Sequence, residues 1–166
     1  MNGAITVLNV LALVGSGLSA GIFFVFSAEI MVGLRRIPVH DAIAAMQAFT
    51  KAALGPVYFG VLVSTGLVAM ALVGMSMFAD PDPREWLCIA GALVYFLSVG
   101  VSLNVHGPMN DALAGWRAED PECARSWPGF QARWTRWNHV RLVAALGAML
   151  LFILALIATP PAEALA

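Results

Sequence analysis

The fold is decided by an uncharged stretch at residues 5–26, which reads ITVLNVLALVGSGLSAGIFFVF. A helix that crosses a bilayer needs about 20 mostly apolar residues, and this stretch is long enough to do so. Three further stretches are comparably apolar, at residues 56–78, 86–103 and 138–158. The sequence therefore predicts an all-α integral membrane protein, a four-helix bundle formed by one domain that covers residues 1–166.

The composition of the chain agrees with a membrane location. Hydrophobic residues make up 60% of the 166 residues and charged residues 11%, whereas soluble domains contain about 45–50% and about 25%. A chain of this size has too little interior to bury so much apolar surface in water, so much of that surface must face lipid. The net charge of −1 indicates neither nucleic acid nor an acidic substrate as a partner.

Basic residues are concentrated in two of the loops between these stretches. The loop after the first stretch contains Arg35, Arg36 and Lys51, and the loop after the third contains Arg117, Arg125, Arg133 and Arg136. Loops that stay in the cytoplasm carry an excess of Lys and Arg. We therefore expect insertion in the plasma (inner) membrane, with both termini outside and both long loops cytoplasmic.

The two long loops have their own patterns. Residues 38–54 place Ile43, Met46 and Phe49 at helical spacing, which predicts an amphipathic helix at the membrane surface or over the bundle. The second loop, residues 104–137, is rich in tryptophan: Trp116, Trp127, Trp134 and Trp137. Interfacial tryptophans form belts in many membrane proteins, but four in one loop also favour a role in lining a pocket.

Polar side chains collect at the cytoplasmic ends of three of the predicted spans. The members of this group are Ser27 and Glu29 after the first, Asn104, His106, Asn110 and Asp111 after the third, and Trp134, Asn138, His139 and Arg141 at the fourth. Ionisable groups at membrane depth are costly and usually face protein or a wet cavity. Because Trp134, Asn138 and Arg141 are four and three residues apart, they share one helix face. The sequence thus predicts one shared polar site.

His106 is the residue in this group best suited to proton transfer. Gly107-Pro108 follows it and is expected to break the third span, and a broken helix at membrane depth usually lines a cavity. An imidazole there could act as a base, or it could merely bond the broken helix end. Glu29 and Asp111 could equally be solvated carboxylates or caps.

Several segments together resemble the anthrone oxygenase-like family of small four-helix membrane proteins. They are GIFFVFS at 21–27, MVGL at 31–34, AAMQAF at 44–49, PMNDAL at 108–113 with Trp116, and WTRWNHVR at 134–141. They cover most of the chain in the family's order. The resemblance implies oxidation of a polycyclic phenolic anthrone to an anthraquinone by dioxygen, with no metal or flavin cofactor.

The resemblance also implies what the site must supply, namely a base, a group that stabilises an enolate oxygen, and an apolar aromatic cavity. His106 is the expected base, with His139 or Asp111 in reserve, and Arg141 and Asn138 are the expected oxyanion partners. The residues expected to bind the small aromatic substrate are Trp134, Trp116, Phe24, Phe26, Asn104, Asn110, Gln47 and Glu29. For Gln47, packing of the amphipathic helix is the alternative.

Two other functions stay open at this point. Haem or copper could be held by two of His40, His106 and His139, although no ligand-spacing motif supports it. A non-enzymatic accessory subunit could use the polar cluster to bind a partner or membrane lipid. The Gly17-x-x-x-Gly21 pattern predicts close helix packing, either inside the bundle or in a homo-oligomer.

Overall fold

A computed structural model describes residues 3–78 and 81–158 of the chain. Its helices are α1 Gly3–Val25, α2 Met31–Leu34, α3 Val39–Ala53, α4 Pro56–Met77, α5 Pro83–Val101, α6 Gly107–Ala114 and α7 Pro121–Ile157. Two wide π-helical turns, Phe26–Ile30 and Ser102–His106, join α1 to α2 and α5 to α6 without a break.

Within these described ranges, four helical rods are long and apolar enough to cross a membrane. The first span is Gly3–Leu34, the second is Pro56–Met77, the third is Pro83–Ala114 and the fourth is Pro121–Ile157. The predicted all-α membrane bundle is confirmed, and the chain is an integral membrane protein.

Two of the helix starts are fixed by a proline and an acidic cap. Asp82 accepts backbone hydrogen bonds from Arg84 at 2.8 Å and Glu85 at 2.9 Å, and the Glu85 carboxylate accepts one from the Asp82 N–H at 3.2 Å. This reciprocal pair satisfies amides that would otherwise lack partners at a helix N-terminus. Asp120 caps α7 in a similar way through the amide of Glu122.

The facing ends of the third and fourth spans, on either side of residues 115–120, differ from the prediction. The third span does not break at Gly107-Pro108 but continues to Ala114, and the fourth begins at Pro121 rather than at residue 138. The expected Trp-rich loop, residues 104–137, is therefore mostly helix, with only residues 115–120 outside it. The physical reason lies in the π turn Ser102–His106, whose wider coil accommodates the proline ring that would clash in a regular α-helix.

The four spans form a closed ring. Each packs against its neighbours in chain order, and the fourth also packs against the first, while contact across the diagonal is sparse. One core, which includes Ile5, Leu72, Tyr95 and Phe152, fills the half of the bundle that contains the described chain ends. The opposite half holds the buried His106, Gln131, Asn138 and Arg141.

A second core lies at that opposite end, beneath the amphipathic helix α3. Ile43 and Met46 of α3 pack with Leu113, Trp127 and Trp134 of the third and fourth spans. The Gln47 amide donates hydrogen bonds of 2.9 Å to the carbonyls of Leu113 and Trp116. The amphipathic helix is thus confirmed, and it covers the end of the bundle.

Close packing between the first and second spans depends on Gly15 more than on the Gly17-x-x-x-Gly21 pattern. A Cβ atom added at Gly15 would overlap the hydroxyl of Thr65 and lie 2.9 Å from the Thr65 Cβ, whereas nothing lies within 4 Å of one added at Gly21. Gly17 has one contact, with the Met149 sulfur at 3.3 Å.

We expect Gly15→Ala to destabilise the bundle, because the new methyl group has no space against Thr65. Overpacking costs about 1–3 kcal/mol, and alanine gains about 1 kcal/mol over glycine in a helix interior. Gly21→Ala is the matched control on the same span. It gains the higher helix propensity of alanine without any cost of overpacking. Unfolding in detergent should separate the two variants by about 1–3 kcal/mol; equal stabilities would contradict the close approach.

Candidate active site

A cavity of about 470 Å³ opens at the end of the bundle covered by α3. All four spans and α3 contribute to its walls. Most of the lining is aromatic or aliphatic, and polar groups enter it at Thr50, Tyr58, Ser102, His106, Asn110, Trp134 and Arg141. An apolar cleft with a few convergent polar groups is the usual form of a small-molecule site.

The Arg141 guanidinium is the charged group of this cavity. Arg141 is 5% exposed, and its Nη2 donates to Asn138 Oδ1 at 2.6 Å while Nη1 donates to the Ser102 hydroxyl at 3.4 Å. Its Nε is buried without a hydrogen-bond partner. Among residues 3–78 and 81–158 no carboxylate forms an ion pair with it. A buried cation without a counter-charge is costly, so the site is suited to an anion.

Aromatic rings surround this cation. The Arg141 Cζ lies 4.4 Å from the centroid of the Phe23 ring and 5.4 Å from that of Trp134. Tyr58, on the second span, faces the guanidinium with its hydroxyl. Ring faces attract a cation, so they help to retain Arg141 in the bundle, but they do not neutralise its charge.

Asn138 fixes the position of Arg141 rather than facing the cavity. Its amide nitrogen donates to the Phe23 carbonyl and to the Ser27 hydroxyl, both at 2.7 Å, and its oxygen accepts from Arg141. The Phe23 carbonyl lies just before the π turn Phe26–Ile30. Every donor and acceptor of this fully buried side chain is thereby used inside the bundle, and Asn138 connects the first span to the fourth.

His106 lies in the cavity wall, with one ring nitrogen in a hydrogen bond and the other without a hydrogen-bond partner. Its Nε2 is 3.2 Å from the Trp134 carbonyl, and since a carbonyl only accepts, Nε2 must carry a hydrogen. Nδ1 is buried without a hydrogen-bond partner. A second N–H there would be a buried unpaired charged donor, which is costly. The neutral ring with a lone pair on Nδ1 is therefore favoured, and that lone pair can accept a proton.

Trp134 connects these groups. Its ring lies edge-on to His106 at 4.7 Å and tilted against Phe26 at 5.5 Å, and its Nε1 donates to Asn110 Oδ1 at 3.0 Å. Asn110, His106 and Ser102 follow each other at intervals of four residues and all line the cavity. In a regular α-helix the outer two would diverge by about 80°. The wider π turn between them keeps all three on one face.

Other residues expected in the site lie away from the cavity. Phe24 is 56% exposed on the outer face of the first span, and Glu29, Asp111 and Asn104 are also exposed. The Asn104 amide donates to the Gly100 carbonyl at 2.9 Å. Trp116 packs on Phe130, with ring centroids 5.4 Å apart, and Gln47 holds α3 against the third span. The reason is helix phase, since residues adjacent in sequence point about 100° apart.

The three histidines do not come together. His40 is exposed beside Asp41, at 3.3 Å, and His139 is exposed on the fourth span, so neither lines the cavity with His106. In the part of the chain that the structure describes, no group of three or more His, Cys, Asp or Glu side chains could hold a metal ion. The residues considered for a haem or copper site are thus dispersed.

Tyr58, Phe23 and Ser102 were not anticipated from the sequence. Phe23 and Ser102 are the immediate partners of Arg141, and Tyr58 faces it from the second span. In the sequence the second span is an uncharged apolar stretch, and no site residue is predicted there. Its tyrosine, two residues after the Pro56 that starts the helix, is the signal that could have placed it at the cavity end.

The model of a family described as anthrone oxygenase matches residues 45–151, which is more than half of the chain. The chain belongs to the anthrone oxygenase family. The match includes His106, Trp134 and Arg141, and it begins after the first span, so Phe23 and Phe26 lie outside the part shared with the anthrone oxygenase model. Comparisons with curated proteins and with solved structures give no match.

Proposed function

We propose that this member of the anthrone oxygenase family oxidises a flat phenolic or polycyclic aromatic substrate of the anthrone type to the corresponding quinone. Dioxygen is the oxidant, and neither a metal nor an organic cofactor takes part. The observation that carries the proposal is the buried Arg141, which lacks a carboxylate partner in the described chain and stands beside an aromatic cavity.

The cavity fits such a substrate in size and character. Its volume of about 470 Å³ falls within the range of about 300–1,000 Å³ that is usual for small-molecule sites. Phe23, Phe26 and Trp134 line it, and aromatic walls suit a planar aromatic molecule. A substrate of this kind partitions into the bilayer, which agrees with an enzyme that is embedded there.

The first chemical step is removal of a proton from the substrate methylene. That carbon is acidic because the resulting carbanion is an enolate delocalised over the aromatic rings. The free Nδ1 of His106 takes the proton. The enolate oxygen carries the negative charge, and Arg141, held in place by Asn138, stabilises it in a site of low dielectric.

The second step joins the carbanion to dioxygen. One oxygen atom bonds to the former methylene carbon, and the proton held by His106 is returned to give a hydroperoxide. The hydroperoxide then loses water to leave a carbonyl group, which completes the quinone. One molecule of dioxygen is consumed for each quinone, one of its atoms enters the product, and the other leaves as water.

The cavity end of the bundle faces the cytoplasm in this proposal. Arg35, Arg36, Lys51, Arg133 and Arg136 are exposed at that end, as basic residues of a cytoplasmic face usually are. The described chain ends then lie outside. Membrane lipid surrounds the spans, and the exposed outer face of the first span at Gly21 is a place where a second copy could pack in a homo-oligomer.

We expect the protein purified in detergent to convert a hydroxylated anthrone to its quinone, with one dioxygen consumed per quinone. With ¹⁸O₂ the quinone should gain one labelled oxygen, and prior treatment with a chelator should leave the rate unchanged. Anthrones also oxidise spontaneously, so heat-denatured protein in the same detergent sets the background. A rate no higher than that background, or a rate abolished by chelation, would contradict the proposal.

A further inference from the structure

The proposed reaction needs an acid as well as a base. When the hydroperoxide collapses, His106 must take the remaining hydrogen of the reacting carbon as a proton, so the imidazole is the acceptor in that step. The electron pair of the broken C–H bond forms the carbonyl, the O–O bond breaks, and hydroxide leaves. Hydroxide is a poor leaving group in an apolar cavity, and a second residue must supply a proton to it.

Most hydrogens on the polar groups of the cavity are already donated in hydrogen bonds within the protein. The Thr50 hydroxyl donates to the Met46 carbonyl at 2.8 Å, and the Ser102 hydroxyl donates to the Ser98 carbonyl at 2.9 Å. The Trp134 N–H donates to Asn110 at 3.0 Å. An arginine guanidinium keeps its charge in proteins, so Arg141 does not act as an acid here.

The hydroxyl of Tyr58 is in a different situation. It lines the cavity and faces the Arg141 guanidinium. A guanidinium can only donate, so any hydrogen bond between the two would be accepted by the phenolic oxygen and would leave the Tyr58 hydrogen available. The same guanidinium would stabilise the phenolate left after proton transfer. Tyr58 therefore combines an uncommitted hydrogen with a charge that favours its release.

From this arrangement we infer that Tyr58 is the catalytic acid that protonates the hydroxide as the O–O bond of the substrate hydroperoxide breaks. The phenolate then regains its proton from the His106 imidazolium, and the net change is loss of one water from the hydroperoxide. The inference rests on the proposed function, and it assigns Tyr58 to the second half of the reaction alone.

The test is a single turnover of Tyr58→Phe, with protein in excess of a hydroxylated anthrone at mildly acidic pH. Dioxygen uptake should stay within about threefold of the wild-type rate, while quinone formation falls at least about tenfold. An acid quench should then trap a product heavier than the substrate by one dioxygen. Tyr95→Phe is the matched control, because that tyrosine bonds Ser19 in the other core and does not line the cavity.

Each outcome bears on Tyr58 separately from the oxygenase activity itself. Uptake that continues while the hydroperoxide accumulates supports the assignment. Quinone formation at the wild-type rate overturns it, and so does loss of uptake and quinone together in a variant that melts like the wild type, because Tyr58 would then act in binding. If the wild-type protein shows no activity above background, the proposed function fails and not this step alone.

Discussion

Arg141→Met is expected to lower kcat/KM for anthrone oxidation by about 10²–10³-fold, which is the usual cost of removing one preorganised oxyanion stabiliser. Methionine has a similar length and no charge, so the enolate oxygen loses the positive charge that faces it. The pKa of the substrate methylene in the site then returns toward its value in an apolar medium. The effect should be on the chemical step more than on binding of the neutral substrate.

The same substitution should leave the bundle at least as stable as before. An unpaired buried charge carries an effective penalty of several kcal/mol, and methionine removes it. The loss of the donor to Asn138 Oδ1 costs about 1–3 kcal/mol, so the two changes oppose each other and the larger one favours the variant. A gain in stability with a loss of activity is typical of a functional residue held at a structural cost.

Two measurements check the expectation, namely steady-state kinetics and thermal unfolding in detergent. Arg141→Lys keeps the charge but lacks the planar donors that reach Asn138 and Ser102, so its activity should lie between those of the wild type and Arg141→Met. Arg136→Met removes an exposed arginine of the same helix and should be neutral. If Arg141→Met unfolds while retaining its turnover in the folded fraction, the role of Arg141 is structural.

The membrane bundle could be predicted from the sequence because hydropathy over about 20 residues reports directly on contact with lipid. The ends of the helices could not be predicted in this way, since the helix-breaking residues near them give ambiguous signals. Gly107-Pro108 is expected to break a helix, but here the π turn Ser102–His106 precedes it and the helix continues to Ala114. Residues 115–137 contain many polar side chains because the fourth span extends beyond the apolar core of the bundle.

The candidate site could be predicted as far as it depends on two properties: the position of a residue along its span, and the helix face on which the residue lies. His106 lies on the third span and Trp134 and Arg141 lie on one face of the fourth, and the structure brings all three to the cavity. Asp111 and Phe24 are exposed and do not line the cavity. Asp111 follows the π turn Ser102–His106, whose phase shift is hidden from a regular 3.6-residue count. Tyr58 was missed because a single hydroxyl in an apolar span has no periodic signature.

His106→Gln is expected to reduce kcat by about 10²–10⁴-fold, the usual contribution of a positioned base. Glutamine can keep an N–H donor to the Trp134 carbonyl, which His106 satisfies at 3.2 Å, but it has no basic nitrogen. The variant therefore separates the two roles considered for this residue. If His106 only bonds the fourth span, glutamine should preserve activity as well as stability.

His106→Ala gives a second view of the same step. It removes a side chain that is 2% exposed and leaves a space beside Trp134 that can admit free imidazole. We expect added imidazole to restore part of the activity of His106→Ala and none of that lost in Arg141→Met. His139→Gln is the matched control, because His139 is exposed and does not line the cavity. If kcat fell more in His139→Gln than in His106→Gln, His139 would be the base. The free Nδ1 of His106 would then have no catalytic role.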